Sequence, residues 1–230
     1  MSNHLVKEQS PDMKQPLLSS IIAQAEFNYK NYFGIKHTKV PDYILQKIKP
    51  DSVIIDCGAN VGEVSFPLVG TGALLFCFEP HPVAFKALNK RFENVSNVKL
   101  FDAAVGVVEH KAKLYKHVQS TNDELKYSTG SSLYSTKNNV NPNDYYEINV
   151  INLPEFIDSL TSRIFMLKVD IEGAEIELLN KLIDEGTYKK IDYIFVETHE
   201  SKMPALKVPT QELKERIKRL KIKNIYTNWT

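Results

Sequence analysis

Short apolar runs recur along the chain, and each stops at an acidic residue. Val53-Ile54-Ile55 ends at Asp56, Leu74 to Phe78 at Glu79, Val98 to Phe101 at Asp102, and Met166 to Val169 at Asp170. Runs of this length with apolar content on both parities read as strands buried on two faces. A fifth, from Tyr193, ends in Glu197-Thr198-His199-Glu200. Between the runs the period changes to that of a helix. Phe85, Leu88 and Phe92 make one buried stripe; Ile171, Leu178, Leu179 and Leu182 make a second, which predicts a helix with Glu172 near its first turn; Leu213, Ile217 and Leu220 make a third. Alternating strands and helices predict an open α/β sheet. In such a sheet the strand tips border the ligand crevice, so the acids at those tips are the first candidates for chemistry.

Other stretches fit around this frame. Residues 1–16 are polar with two prolines, and Leu17, Leu18, Ile21, Ile22, Ala25 and Tyr29 are spaced as an amphipathic helix over 17–33. Tyr43, Ile44 and Ile48 predict a further short helix before Pro50. Residues 1–50 thus read as a helical extension, expected to pack on the outside of the sheet, with a lid or dimer face as alternatives. Residues 51–230 form the main domain, interrupted by an insertion at about 107–153. Lys111 to Val118 and Tyr145 to Leu153 look like strands flanking a stretch rich in Ser, Thr and Asn. A loop of that length is unusual unless it is functional or disordered. Its Tyr127, Ser131, Ser132, Tyr134, Asn138 and Asn139 suit a hydroxyl-rich ligand.

The segment Asp56-Cys57-Gly58-Ala59-Asn60-Val61-Gly62 is a tight glycine turn after a strand. Val64, Phe66, Leu68 and Val69 then predict a helix that Pro67 must kink or end. Glycines let a backbone approach a ligand, and a helix start offers free N–H donors. The spacing is not the G-x-G-x-x-G of a dinucleotide pyrophosphate site. A carboxylate at Asp56 repels phosphate and suits an ammonium group. S-adenosylmethionine has that ammonium and no phosphate, so the loop favours it over NAD. Glu79, 17 residues beyond Gly62, stands at the offset of the acid that accepts ribose hydroxyls. Asp102 offers an acceptor for an adenine amino group, with Ala103 and Ala104 leaving room for the ring.

The combination resembles the FkbM family of S-adenosylmethionine-dependent methyltransferases. The resemblance rests on DCGANVG (56–62), FEPHPVAFKAL (78–88), DAAVG (102–106), LKVDIEGAEIELL (167–179) and FVETH (195–199). It implies a class I methyltransferase fold: Rossmann-like and doubly wound, with a mostly parallel seven-stranded sheet between helical layers. It also implies methyl transfer to a hydroxyl of a sugar, glycan or natural product. On this reading Asp56, Gly58, Ala59, Asn60 and Gly62 hold the methionine end, Glu79 the ribose, and Asp102 with Ala103 the adenine. Asp170, Glu172 and His199 are the candidates to take the acceptor proton, with Asp170 also a candidate for the cofactor amino group. Asp170, Glu172, Glu197 and His199 form a set that a divalent cation can use, although two segments do not fix an octahedron, so the expected site includes no required metal.

Composition narrows the picture only slightly. A formal net charge of +1 argues against nucleic-acid binding driven by a basic excess. Cys57 and Cys77 fall in adjacent strands and read as reduced core thiols. No apolar run reaches membrane-spanning length, and the N-terminus lacks a signal-peptide core, which makes the cytoplasm the expected compartment. Asn224 to Trp229 reads as a last strand. A further antiparallel strand is absent from the pattern: either the protein lacks it, the insertion supplies an edge, or the sequence is shortened, and Trp229 is expected against a partner subunit in a homo-oligomer. Two alternatives stand beside the enzyme: an NAD-dependent protein on a related sheet, and a non-catalytic interaction protein on this fold.

Overall fold

A computed structural model describes residues 40–229. The helix expected at 17–33, with the rest of the extension before residue 40, lies outside the described residues. Six strands form one sheet: β1 (Val53–Cys57), β2 (Leu74–Phe78), β3 (Val98–Phe101), β7 (Ile164–Val169), β8 (Ile191–Val196) and β9 (Ile225–Tyr226), in the order β3-β2-β1-β7-β8-β9 with every pairing parallel. Parallel strands need covering on both faces, and the period-2 alternation of β1 shows how it is done. Val53, Ile55 and Cys57 join the core cluster containing helices α4 (Leu153–Ser159), α5 (Glu175–Asp184) and α6 (Lys207–Arg219). Ile54 joins the cluster on the opposite face, with Ile44 of α1 (Asp42–Leu45) and Leu88 of α2 (Pro82–Arg91).

Four sequence expectations need correction here. The sheet has six described strands rather than seven, and no described strand of it is antiparallel. The insertion does not cover its edge: β5 (His110–His117) and β6 (Val140–Asn152) pair antiparallel, and β6 adds β4 (Ala104–Gly106) in parallel to make a separate three-stranded sheet. That sheet has its own small core of Ala104, Leu114, Ile148 and Val150. The residues after Gly62 are turns followed by a 3-10 segment, Phe66–Thr71, and not an α-helix. Pro67 lacks the N–H that an α-helical ladder needs at that point. Finally, Trp229 is 6% exposed and packs 4.9 Å from Phe195, so the chain's own core covers it.

Candidate active site

In-register parallel strands bring Gly58, Glu79, Asp102, Asp170 and Glu197 to one end of the sheet, each one residue beyond its strand. There a cleft of about 340 Å³ opens. Gly58, Phe78, Glu79, Ala103, Asp170 and Glu197 line its sheet side. His117, Tyr127, Ser128, Ser131, Leu133 and Asn139 of the insertion line the other.

Gly58 has a φ of +76°, and a Cβ there would lie 1.9 Å from the Asp170 carbonyl oxygen. The β1 and β7 tips therefore meet only because this position has no side chain. Gly58→Ala is expected to cost at least about 3 kcal/mol, combining left-handed strain with a backbone clash. A thermal melt checks this; an unchanged midpoint would show that the tips need not touch. The turn's N–H groups are not free donors. Those of Gly58 and Ala59 both go to the Phe78 carbonyl, and that of Gly62 to Ala59.

The Asn60 N–H donates to Glu79 Oε2 at 2.8 Å, and the His81 N–H to Glu79 Oε1 at 2.7 Å. Glu79 is thereby fixed at the cleft although only 5% exposed. Burial raises its pKa to about 7, against the pull of those two backbone donors and of Lys168. Each carboxylate oxygen keeps a lone pair for a ligand hydroxyl.

Asp56 is placed differently from the expectation. It is 1% exposed and does not line the cleft. Its Oδ2 accepts from Ser65 Oγ at 2.7 Å, and its Oδ1 lies 3.2 Å from Lys168 Nζ. Register explains the pair, since Asp56 and Lys168 are opposite one another on β1 and β7. Lys168 Nζ also donates to the Gly58 carbonyl at 2.6 Å and stands 3.4 Å from Asp170. Burial works to lower the Lys168 pKa, but Asp56 and Asp170 outweigh it and raise it. Asp56 is thus the foundation of the glycine turn, its charge already met. Ala59 packs into the apolar cluster, and a Cβ on Gly62 would press on Phe92 and Leu88 at 2.7 and 2.9 Å. Asp102 is exposed and outside the lining; its neighbours Ala103 and Ala104 do face the cleft.

Glu172 and Asp170 line the cleft, with His199 buried just behind them. Helix α5 starts only at Glu175, so Glu172 sits in the preceding loop at a φ of +55° and not in a helical turn. His199 Nδ1 is 2.9 Å from Glu175 Oε1, and its Nε2 is 3.3 Å from Glu172 Oε2 and 3.6 Å from Asp170 Oδ1. Burial lowers the imidazole pKa, but the carboxylates of Glu172 and Glu175 overcome it and carry it up to about 10. A ring that keeps its proton at neutral pH is a poor base, so the expected base role for His199 does not suit these surroundings. Burial likewise raises the Glu172 pKa, and His199 and Lys137 reverse this to hold it at about 2.

Several participants were not singled out from sequence. Lys137 of the insertion, 2% exposed, puts its Nζ 2.6 Å from Glu172 Oε2. Nothing in a Ser- and Asn-rich stretch marks that lysine. Glu175, the first residue of α5, is fully buried and accepts N–H bonds from Ile171 and Gly173. His81 stands at the N-cap position of α2, and its buried ring lines the cleft, 5.3 Å from the Tyr146 ring. Of the insertion residues proposed for an acceptor, Tyr127, Ser131 and Asn139 line the cleft, whereas Ser132 is buried and donates to the Glu172 carbonyl.

A parallel sheet in this order, with acids at the strand tips around one cleft, is the doubly wound, Rossmann-like α/β arrangement. A family model described as the methyltransferase FkbM domain matches residues 56–221, and the chain belongs to that family. Methyltransferase 1 of Beauveria bassiana (strain ARSEF 2860) is 26% identical over 193 residues, which cover 78% of this chain and 75% of that protein. Among solved structures, the methyltransferase FkbM from Methylobacillus flagellatus KT is similar at 16% identity and a TM-score of 0.42, over 76% of this chain and 45% of that one. The METTL16 MTase domain is similar at 11% identity and a TM-score of 0.42, over 92% and 73%. This chain thus spans less than half the length of the solved FkbM protein.

Proposed function

We propose that the chain is an S-adenosylmethionine-dependent O-methyltransferase acting on a hydroxyl of a sugar, glycan or small natural product. The observation that carries this reading is the buried Glu79 carboxylate, fixed by two backbone donors with lone pairs left over at the mouth of a cleft. That is the arrangement a ribose diol needs. Residues 51–230 are the domain in question, with the insertion at about 107–153 as the acceptor platform. Gly58 and Asn60 would border the methionine end, and Ala103 and Ala104 the adenine.

The donor's sulfonium already activates its methyl group, so the chain's own task is to position the acceptor oxygen and take its proton. Asp170 and Glu172 are the carboxylates facing the cleft for that work. The Ser, Thr and Asn side chains of the insertion favour a hydroxyl-rich acceptor over an apolar one. None of the described helices is long and apolar enough to cross a membrane. The free thiols of Cys57 and Cys77 suit the cytoplasm.

Calorimetric titration with S-adenosylmethionine, S-adenosylhomocysteine and NAD tests the donor. Micromolar binding of the two adenosyl ligands without NAD is expected, followed by methyl transfer in a screen of sugar acceptors. NAD binding alone would move the reading to a dehydrogenase, and no binding at all to an interaction protein.

A further inference from the structure

Behind the cleft, His199 is 2% exposed, and among the described residues its Nε2 makes no hydrogen bond. A buried ring nitrogen without a partner is costly, and proteins seldom leave one so. Nε2 nevertheless faces two carboxylates, and it forms with Asp170 and Glu172 a trio of donor atoms all within 4.8 Å of one another. Its separations from Glu172 Oε2 and Asp170 Oδ1 are 3.3 and 3.6 Å. Two ligands bound at about 2.1 Å to one ion stand roughly 3.0–3.5 Å apart. The Glu172 separation falls in that range, and the Asp170 separation is just beyond it.

The other side of the ring is equally informative. Nδ1 meets Glu175 Oε1 at 2.9 Å, and that carboxylate is itself held by the N–H groups of Ile171 and Gly173, all at 3.1 Å. A carboxylate at Nδ1 keeps a proton there, so a cation that takes the place of the Nε2 proton meets a lone pair aimed outward, as in carboxylate–histidine–metal arrangements. Charge agrees. Four carboxylates (Asp170, Glu172, Glu175 and Glu197) surround the ring. Against them stand Lys168, shared between Asp56 and Asp170 Oδ2, and buried Lys137 with half-exposed Lys202 on Glu172.

We infer that Asp170 Oδ1, Glu172 Oε2 and His199 Nε2 form a divalent-cation site whose remaining positions open into the cleft. Mixed oxygen and imidazole donors suit Mn²⁺ better than the all-oxygen shell that Mg²⁺ prefers. The open positions would take adjacent oxygens of the acceptor, a role that rests on the methyltransferase reading above. Such an ion polarises a bound hydroxyl, and the proton passes to the oxygen of Asp170 or Glu172 that does not bind the ion.

The test uses the whole chain, stripped with EDTA and desalted, with Mn²⁺ titrated and the free ion followed by electron paramagnetic resonance. Mg²⁺ and Zn²⁺ are titrated in parallel by calorimetry. One Mn²⁺ per chain at micromolar affinity is expected, with a rise in melting temperature on adding the ion. Glu172→Gln should weaken Mn²⁺ by more than tenfold, and Glu175→Gln by roughly 10–100-fold, because it leaves the three ligands in place and removes the group that orients the ring. Circular dichroism melts without metal establish that each variant is folded. Absence of saturable binding for all three ions, or equal Mn²⁺ affinity in folded Glu172→Gln, would overturn the site. S-adenosylhomocysteine is titrated separately in EDTA. Cofactor binding without ion binding sinks the ion site alone, and ion binding without cofactor binding sinks the donor reading alone.

Discussion

Glu79→Ala is expected to raise the dissociation constant for S-adenosylhomocysteine about 100-fold, the loss of charge-assisted bonds to two hydroxyls at about 1.5–3 kcal/mol each less what water recovers. The variant also strips the acceptor from the Asn60 and His81 N–H groups, which loosens the turn on one side and the start of α2 on the other. Glu79→Gln keeps the shape and separates the two effects. The wild-type affinity should depend on pH as well. The folded carboxyl titrates at about 7, above its ordinary 4.5. Its contribution to folding is therefore full below pH 4.5 and is lost as the pH rises through 7. Ribose hydroxyls donate to the ionised form, so cofactor affinity should climb between pH 6 and 8, and Glu79→Gln should lack that climb. Calorimetry across this window decides the matter: an affinity that does not change with pH, or a Glu79→Ala variant that binds like wild type, removes Glu79 from the ribose site.

The second large effect concerns stability. Lys168→Met is expected to destabilise the chain by about 3–5 kcal/mol, since it leaves Asp56 charged, buried and without its partner. For a domain of this size that is a fall in melting temperature of roughly 10 °C. Pairing the change with Asp56→Asn should recover part of the loss, because the stranded charge goes with it. If the single and double variants melt alike, the ion pair is not what secures the turn.

The strands and the acids at their tips were legible in the sequence because parallel strands covered on both faces are written as bare apolar runs. β2 and β3 begin and end where those runs do. What was not legible depends on contacts across the sheet or between distant segments. Asp56 looked like a ligand group since its partner, Lys168, is 112 residues away and reads only as a charge inside a strand. The turn after Gly62 looked helical because its apolar spacing is helical; Pro67 and the Asp56–Ser65 bond override that spacing. His199 read as a candidate base beside Asp170 and Glu172, and only the fold reveals Glu175 behind it. The insertion strands were visible by composition, but their pairing with Ala104–Gly106 into a separate sheet was not, since no local signal specifies a partner.

Among the described residues, three side-chain hydrogen bonds tie the insertion to the loops at the sheet tips. Asn60 Nδ2 donates to Ser128 Oγ, Ser132 Oγ to the Glu172 carbonyl, and Lys137 Nζ to the Glu172 carboxylate. One of these grips the glycine turn and two grip the acidic loop. On the proposed reading, the acceptor platform is then built partly from the walls of the donor site, and the two occupancies are expected to share a common free energy. Whatever factor the donor imposes on acceptor affinity, the acceptor must impose on the donor. Substitutions in the insertion that retune acceptor choice are then expected to shift donor affinity as well, unless these three fastenings are kept.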